Sequence, residues 1–191
     1  MDLATIWREH LYDTLRLPAY GEPLKQAAKQ GKTAWTTAMT HAVVAACEGA
    51  EWDTAARAHT SARLPIPRSE YLALDVMAFE AGSSRWPWPL AVMELENQQN
   101  DDYIAYDLWK VLCVRAALRV VVCYRPEGDQ GSSLVRHLAG TVVASLPHHV
   151  RLSLGGETIV VIGSHANADT FPNGFFRWWR LDMNVGQFER W

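Results

Sequence analysis

The chain has 191 residues, of which 49% are hydrophobic and 20% are charged, and its formal net charge is −3 at pH 7. This length suits one domain with a full hydrophobic core. The composition excludes a disordered chain, and the acidic balance excludes a strongly basic nucleic-acid coat while leaving room for a local basic groove.

The three cysteines, Cys47, Cys113 and Cys123, stand in apolar surroundings and form no Cys-x-x-Cys pair. Buried free thiols and a reducing compartment are therefore expected. The sequence has no run of membrane-spanning length and no signal-peptide pattern at its start, which predicts a cytoplasmic protein with no membrane partner.

The first fifty residues read as helices. Apolar residues recur at helical spacing from residue 2 to 16, and Pro18 with the Gly21–Pro23 segment is expected to end that helix. Lys25–Lys32 is a short helix or a connector, and Thr33–Cys47 is a strong helix. From Trp52 to Ser69 the chain turns polar and basic, which predicts a loop or an edge that is either a solvated connector or a phosphate-contacting arm.

The central stretch predicts a strand, a turn, a second strand, a helix and a third strand. Their ranges are Tyr71–Phe79, Leu90–Asn97, Tyr103–Ala117 and Arg119–Tyr124, with the turn between the first two. Asp75 interrupts the first strand, and Glu94 and Glu96 share one face of the second because side chains alternate along a strand. If the two strands pair, the three carboxylates converge, and a divalent cation such as Mg²⁺ is the natural neutralising group.

At these residues the sequence resembles the PD-(D/E)XK nuclease superfamily, which has the restriction-endonuclease-like fold. The resemblance covers about residues 30 to 165. Asp75 matches the family's Asp and Glu94 its Glu, whereas Glu96 stands where a Lys is usual. Some members carry Glu there, and in others the Lys has moved to the following helix, where Lys110 lies. Lys110 facing a polar site and Lys110 as a surface residue both stay open.

The resemblance implies an α/β fold with a central mixed β-sheet flanked by α-helices. It implies one domain over residues 1–191, with N-terminal helices (1–50), a core (60–165) and a C-terminal strand region (170–191). It also implies hydrolysis of phosphodiester bonds in nucleic acid, with DNA as the expected partner. Asp75 and Glu94 would hold Mg²⁺ or Mn²⁺, together with the Leu95 carbonyl oxygen. Lys110 would hold the attacking water or neutralise the phosphate, and Glu96 would be a second metal ligand or the general base.

The rest of the chain predicts a helix over Ser132–Ser145 and strands over Glu157–Ile162 and Phe175–Met183. The Arg177–Arg180 run, Arg-Trp-Trp-Arg, could stack bases, but core packing or a homodimer contact is the preferred interpretation. The histidines have no zinc-site spacing, and the sequence contains no nucleotide-binding glycine motif.

Two alternatives to an active nuclease stay open. The fold could be a catalytically inactive binding or regulatory module of a defence or repair assembly, as the acidic charge and Glu96 in place of Lys suggest. It could also be the dimerising subunit of such an assembly.

Overall fold

The computed structural model describes residues 2–68 and 70–191, so Ser69, the end of the predicted basic loop, lies outside the described residues. The chain divides into two compact units, one ending at Leu95 and the other beginning at Glu96. The single-domain assignment stays a prediction.

Three helices open the first unit: α1 (Leu3–Arg16), α2 (Pro18–Gln30) and α3 (Lys32–Gly49). The α1 prediction is confirmed, and the Asp2 carboxylate caps this helix by accepting the Thr5 N–H at 2.8 Å. The predicted helix stop was only half right. Although α1 ends at Arg16, Pro18 begins α2, because a proline at the first helical position has no N–H to leave unsatisfied. No helix within the two described ranges is long and apolar enough to cross a membrane.

An antiparallel meander completes the first unit. Its strands are β1 (Trp52–Ala56), β2 (Val76–Glu80) and β3 (Ala91–Leu95), with β2 paired to both others, and α3 packs against all three. The predicted strand from Tyr71 was too long. Leu72 and Ala73 both have φ of 55°, which no strand accommodates, so β2 begins at Val76 and Asp75 lies just before it.

The second unit is a mixed sheet flanked by helices. Strands β4 (Leu118–Arg125) and β5 (Glu157–Ser164) are parallel, and the antiparallel strands β6 (Phe176–Asp182) and β7 (Gln187–Arg190) follow. Its helices are α4 (Asp101–Leu112), α5 (Gln130–Thr141) and α6 (His148–Ser153), with α4 packed on β4 and α5 on β7. The predicted α/β class is confirmed.

The boundaries predicted for two helices of this unit were wrong. The helix α4 begins at Asp101 rather than Tyr103, because the Asn100 side chain accepts the Asp102 N–H at 2.8 Å and caps it there. It ends at Leu112 rather than Ala117. The helix α5 ends at Thr141, and a separate short 3-10 turn covers Val143–Ser145.

Arg119 is the main polar group in the interior of the second unit. Its side chain is fully buried on β4, and its guanidinium donates to the carbonyls of Val114, Leu154 and Gly155 at 2.9–3.1 Å. Burial lowers the pKa of this guanidinium. The side chain thereby joins the turn after α4 to the turn before β5.

Candidate active site

Asp75 and Glu94 lie at the same end of two neighbouring strands. Val76 of β2 pairs with Met93 of β3, so continuing the antiparallel register by one residue places Asp75 opposite Glu94. The Asp75 Oδ2 atom accepts the Leu95 N–H at 2.7 Å, which fixes this carboxylate against the end of β3. The first unit therefore brings two of the four predicted site residues together.

The two carboxylates have different exposures. Glu94 is only 3% exposed and is flanked along β3 by the buried residues Met93 and Leu95, whereas Asp75 is half-buried. A carboxylate desolvated in this way is costly unless hydrogen bonds or a cation offset its charge. A functional role for Glu94 stays a prediction.

Glu96 and Lys110 belong to the second unit. The Glu96 N–H donates to the Val122 carbonyl of β4 at 2.9 Å, and its carboxylate accepts the Gln98 N–H at 2.6 Å. The side chain of Glu96 is half-buried beside β4. This carboxylate is therefore held by a local turn and is not free to swing as a disordered surface acid would be.

Lys110 is paired within its own helix. Its Nζ lies 3.3 Å from the Asp107 carboxylate and 5.5 Å from the centre of the Tyr106 ring. The side chains of Lys110 and Asp107 are 18% and 10% exposed, so Lys110 is half-buried in an ion pair within its helix. The orientation of Lys110 towards a polar site stays a prediction. Tyr106 and Lys110 lie on the same side of α4, as residues four apart on a helix do.

Asp107 and Arg125 are the polar residues that the sequence did not single out. Arg125 ends β4, is buried, pairs with Asp101 and donates to the Gln99 carbonyl at 2.9 Å. The signal for Asp107 was its position one helical turn before Lys110, where an acid supports a lysine. Nothing in a sequence pattern shows that such a pair is buried.

Cys123 is a buried thiol of β4 whose pKa responds to nearby charged groups. Burial raises the pKa of the Cys123 thiol to about 12; Arg125 opposes that rise, and Glu96, Asp107 and Asp101 add to it. Four charged groups thus act on one thiol near the end of β4. The net effect keeps Cys123 protonated and chemically inert at neutral pH.

The candidate metal site offers only two carboxylates. Among residues 2–68 and 70–191 no group of three or more His, Cys, Asp or Glu side chains could hold a metal ion. The carboxylates of Asp75 and Glu94 form an all-oxygen pair. This matches Mg²⁺, which is usually bound by one or two carboxylates, with waters and substrate phosphates completing its coordination.

No protein family, curated protein or solved structure matches this chain. The resemblance to PD-(D/E)XK nucleases therefore rests on the residues of the sequence itself.

The reactivity of the three thiols tests whether the two units are folded as described. Cys113 is exposed, whereas Cys47 and Cys123 are buried and burial raises the pKa of both. In native protein at pH 8, one of the three thiols should react with Ellman's reagent, and all three should react in guanidinium chloride. A Cys113→Ser variant should show almost no native reaction. Fast reaction of a second thiol would contradict the burial of these strands and helices.

Proposed function

We propose that this protein is a metal-dependent nuclease that hydrolyses phosphodiester bonds of nucleic acid, with DNA as the expected polymer and Mg²⁺ or Mn²⁺ as the cofactor. The observation that carries the proposal is the placement of Asp75 opposite the buried Glu94 at one end of β2 and β3. The resemblance of these residues to the nuclease motif supports the same chemistry.

In this proposal Asp75 and Glu94 supply the carboxylate oxygens that hold the cation, and the Leu95 carbonyl supplies a further oxygen. The bond from the Leu95 N–H fixes Asp75, leaving its other oxygen to face a ligand. When bound, a divalent cation lowers the pKa of an attacking water and polarises the scissile phosphate. Protein side chains would perform the remaining steps, which are proton transfer and neutralisation of the phosphate.

Glu96 and Lys110 would act on the water and on the phosphate. Glu96 is two residues after Glu94, so the chain itself keeps their Cα atoms within about 7 Å. Its carboxylate would accept a proton from the water as the general base, or act as a second metal ligand. Lys110, oriented by its pair with Asp107, would neutralise charge that develops on the phosphate.

A second candidate is a non-catalytic binding or regulatory module. The specific observation in its favour is the Asp107–Lys110 ion pair, which already neutralises the lysine that catalysis would need. The presence of Glu96 where the nuclease motif has Lys points the same way.

Replacing Lys110 by Met tests the choice between the two candidates. We expect metal-dependent cleavage of labelled single-stranded and duplex DNA to fall by about 100-fold or more, because a positioned charge acts mainly on the transition state. We also expect a loss of about 1–3 kcal/mol in unfolding free energy, because Asp107 would be left buried without this partner. Cleavage is measured on gels and stability by thermal denaturation.

Lys25→Met is the matched control. Lys25 forms the same i, i+3 type of pair with Glu22, at 2.8 Å, but on an exposed helix face. This variant should keep full activity and nearly full stability. Undiminished turnover in Lys110→Met would show that Lys110 serves only as the partner of Asp107. Absence of any metal-dependent cleavage by the wild type would favour the non-catalytic module.

A further inference from the structure

Two tryptophans project from the connection between β2 and β3. Trp86 is 62% exposed and Trp88 is 74% exposed, and they alternate with Pro87 and Pro89. Exposed aromatic side chains that lie close together along the chain are candidates for a binding surface. Because proline fixes its own φ, the two prolines restrict the backbone that carries the rings. We call Arg85–Pro89 the Trp-Pro loop.

Exposed arginines accompany this loop on the first unit. Arg57, Arg68 and Arg85 are exposed, and in the described part of the chain none of them forms an ion pair. Arg63 differs, because its guanidinium pairs with Asp53 at 2.8 Å. These three exposed guanidinium groups therefore offer positive charge without a neutralising carboxylate.

The loop and the basic segment are joined by a backbone hydrogen bond. The Trp86 N–H donates to the Arg63 carbonyl at 3.1 Å, which holds the Trp-Pro loop against the segment that carries Arg57 and Arg68. At its other end, this segment reaches the carboxylate pair: Arg57 directly follows Ala56, whose β2 partner Val76 follows Asp75. The loop that carries the two tryptophans is thus bonded to the segment that carries Arg57 and Arg68, and the first residue of that segment follows the β1 residue paired with Val76, next to Asp75.

We propose that this surface binds single-stranded nucleic acid, with bases stacked on Trp86 and Trp88 and phosphates held by Arg57, Arg68 and Arg85. In a duplex the bases stack on one another, so exposed indole rings can engage only unpaired ones. Unpaired arginines favour a polyanion over an apolar protein surface. The inference rests on the proposed function for the class of polymer, and it adds the strand state of the substrate.

The backbone of Trp86 gives independent support. Its φ is 60°, in the left-handed region where a bulky residue costs about 1 kcal/mol or more and glycine costs nothing. The chain thus keeps a strained, exposed ring where a glycine would fold more easily. Backbone strain of this kind tends to cluster at functional sites, although Leu72 and Ala73 adopt the same region where β2 is delayed.

The test measures binding without cleavage. Fluorescence anisotropy of a labelled single strand of about 12 nucleotides, with the full chain in EDTA, gives the affinity. Trp86→Ala and Trp88→Ala should each weaken binding by about 5- to 100-fold, since stacking on one base contributes that much. Trp86→Gly should weaken binding equally while leaving Tm unchanged or higher, which separates lost binding from lost folding.

The matched control is Trp109→Ala. Trp109 is also an exposed tryptophan, at 48%, but it lies on α4 in the second unit. This variant should bind the single strand like the wild type. Each of Arg57→Gln, Arg68→Gln and Arg85→Gln should reduce the slope of log K against log salt by about 0.7, the value for one phosphate contact on a single strand. A duplex of the same sequence should bind at least about 10-fold more weakly.

Several results would overturn the proposal: wild-type affinity in the Trp86 and Trp88 variants, an equal loss in Trp109→Ala, duplex binding as tight as single-strand binding, or no binding of either oligonucleotide. Tryptophan-dependent binding without cleavage in Mg²⁺ or Mn²⁺ would support this surface and reject the nuclease. If the Trp86 and Trp88 variants bind the single strand like the wild type and still cleave DNA, the nuclease proposal stands and this binding surface is rejected.

Discussion

Replacing Glu94 by Gln should abolish metal-dependent cleavage, with a loss of about 100-fold or more, and should remove most of the thermal stabilisation that Mn²⁺ or Mg²⁺ gives the wild type. A cation that binds only the folded chain stabilises it by about 2.7 kcal/mol at a hundredfold excess over its Kd. In a protein of this size that corresponds to a Tm increase of about 5–10 °C. Without metal, the Tm of Glu94→Gln should be unchanged or higher, because Gln removes a desolvated charge that lies opposite Asp75.

Glu80→Gln is the control for this experiment. Glu80 is the exposed last residue of β2, so the same chemical change is made on the same pair of strands but away from the carboxylate pair. It should keep both the activity and the metal-dependent rise in Tm. If Glu94→Gln destabilises the protein equally with and without metal, Glu94 anchors a structural ion pair, and the non-catalytic module becomes the better description.

Replacing Arg119 by Met should cause the largest loss of stability, about 3–5 kcal/mol in unfolding free energy. Methionine has a similar length but no donors, so the carbonyls of Val114, Leu154 and Gly155 would each lose a bond from the buried guanidinium. Arg119→Lys should also be destabilising, because an ammonium group cannot reproduce the planar fork. Chemical denaturation with urea measures both changes.

Arg136→Met provides the comparison for Arg119. Arg136 is exposed on α5, and its Nε donates to the Ser132 carbonyl within the same helix. This substitution should change the unfolding free energy by no more than about 0.5 kcal/mol. Equal small effects at both positions would show that water satisfies the three carbonyls when the Arg119 side chain is removed.

Local patterns predicted the elements whose signal lies within one element. Helix α1 follows from the apolar spacing that includes the fully buried Trp7 and Leu11. The strand predicted over Arg119–Tyr124 corresponds to β4, and every residue of β4 is buried, as is typical of a continuous β-branched run. In these two elements most of the residues that are apolar in the sequence are buried in the structure.

The predictions failed where a single backbone conformation decided the structure. Leu72 and Ala73 favour helices, and no propensity indicates that both would adopt φ of 55° and delay β2 until Val76. The two prolines of α2 suggested a break, although Pro18 fits the first turn and Pro23 lies inside the helix. Such choices depend on tertiary packing, which no local window contains.

The candidate site could be predicted only where its signal lies within one sequence segment. Asp75 and Glu94 stood out because a charge inside an apolar strand is visible in sequence. The burial of Asp107 with Lys110 comes from how α4 packs on β4, so only the helical spacing of that pair was visible. The Trp-Pro loop gave no sequence signal of its exposure, since Trp is more often buried than exposed.

Each unit is one continuous segment of the chain, which affects the order in which the protein folds. In the first unit the three strands pair antiparallel with their neighbours in sequence, so these pairings can form before the second unit has been synthesised. The second unit cannot pair β4 with β5 until the whole connection from Pro126 to Gly156 has emerged and α5 has crossed over. The parallel pair of buried strands should therefore set the overall rate of folding, and until it forms β4 is an apolar strand open to aggregation.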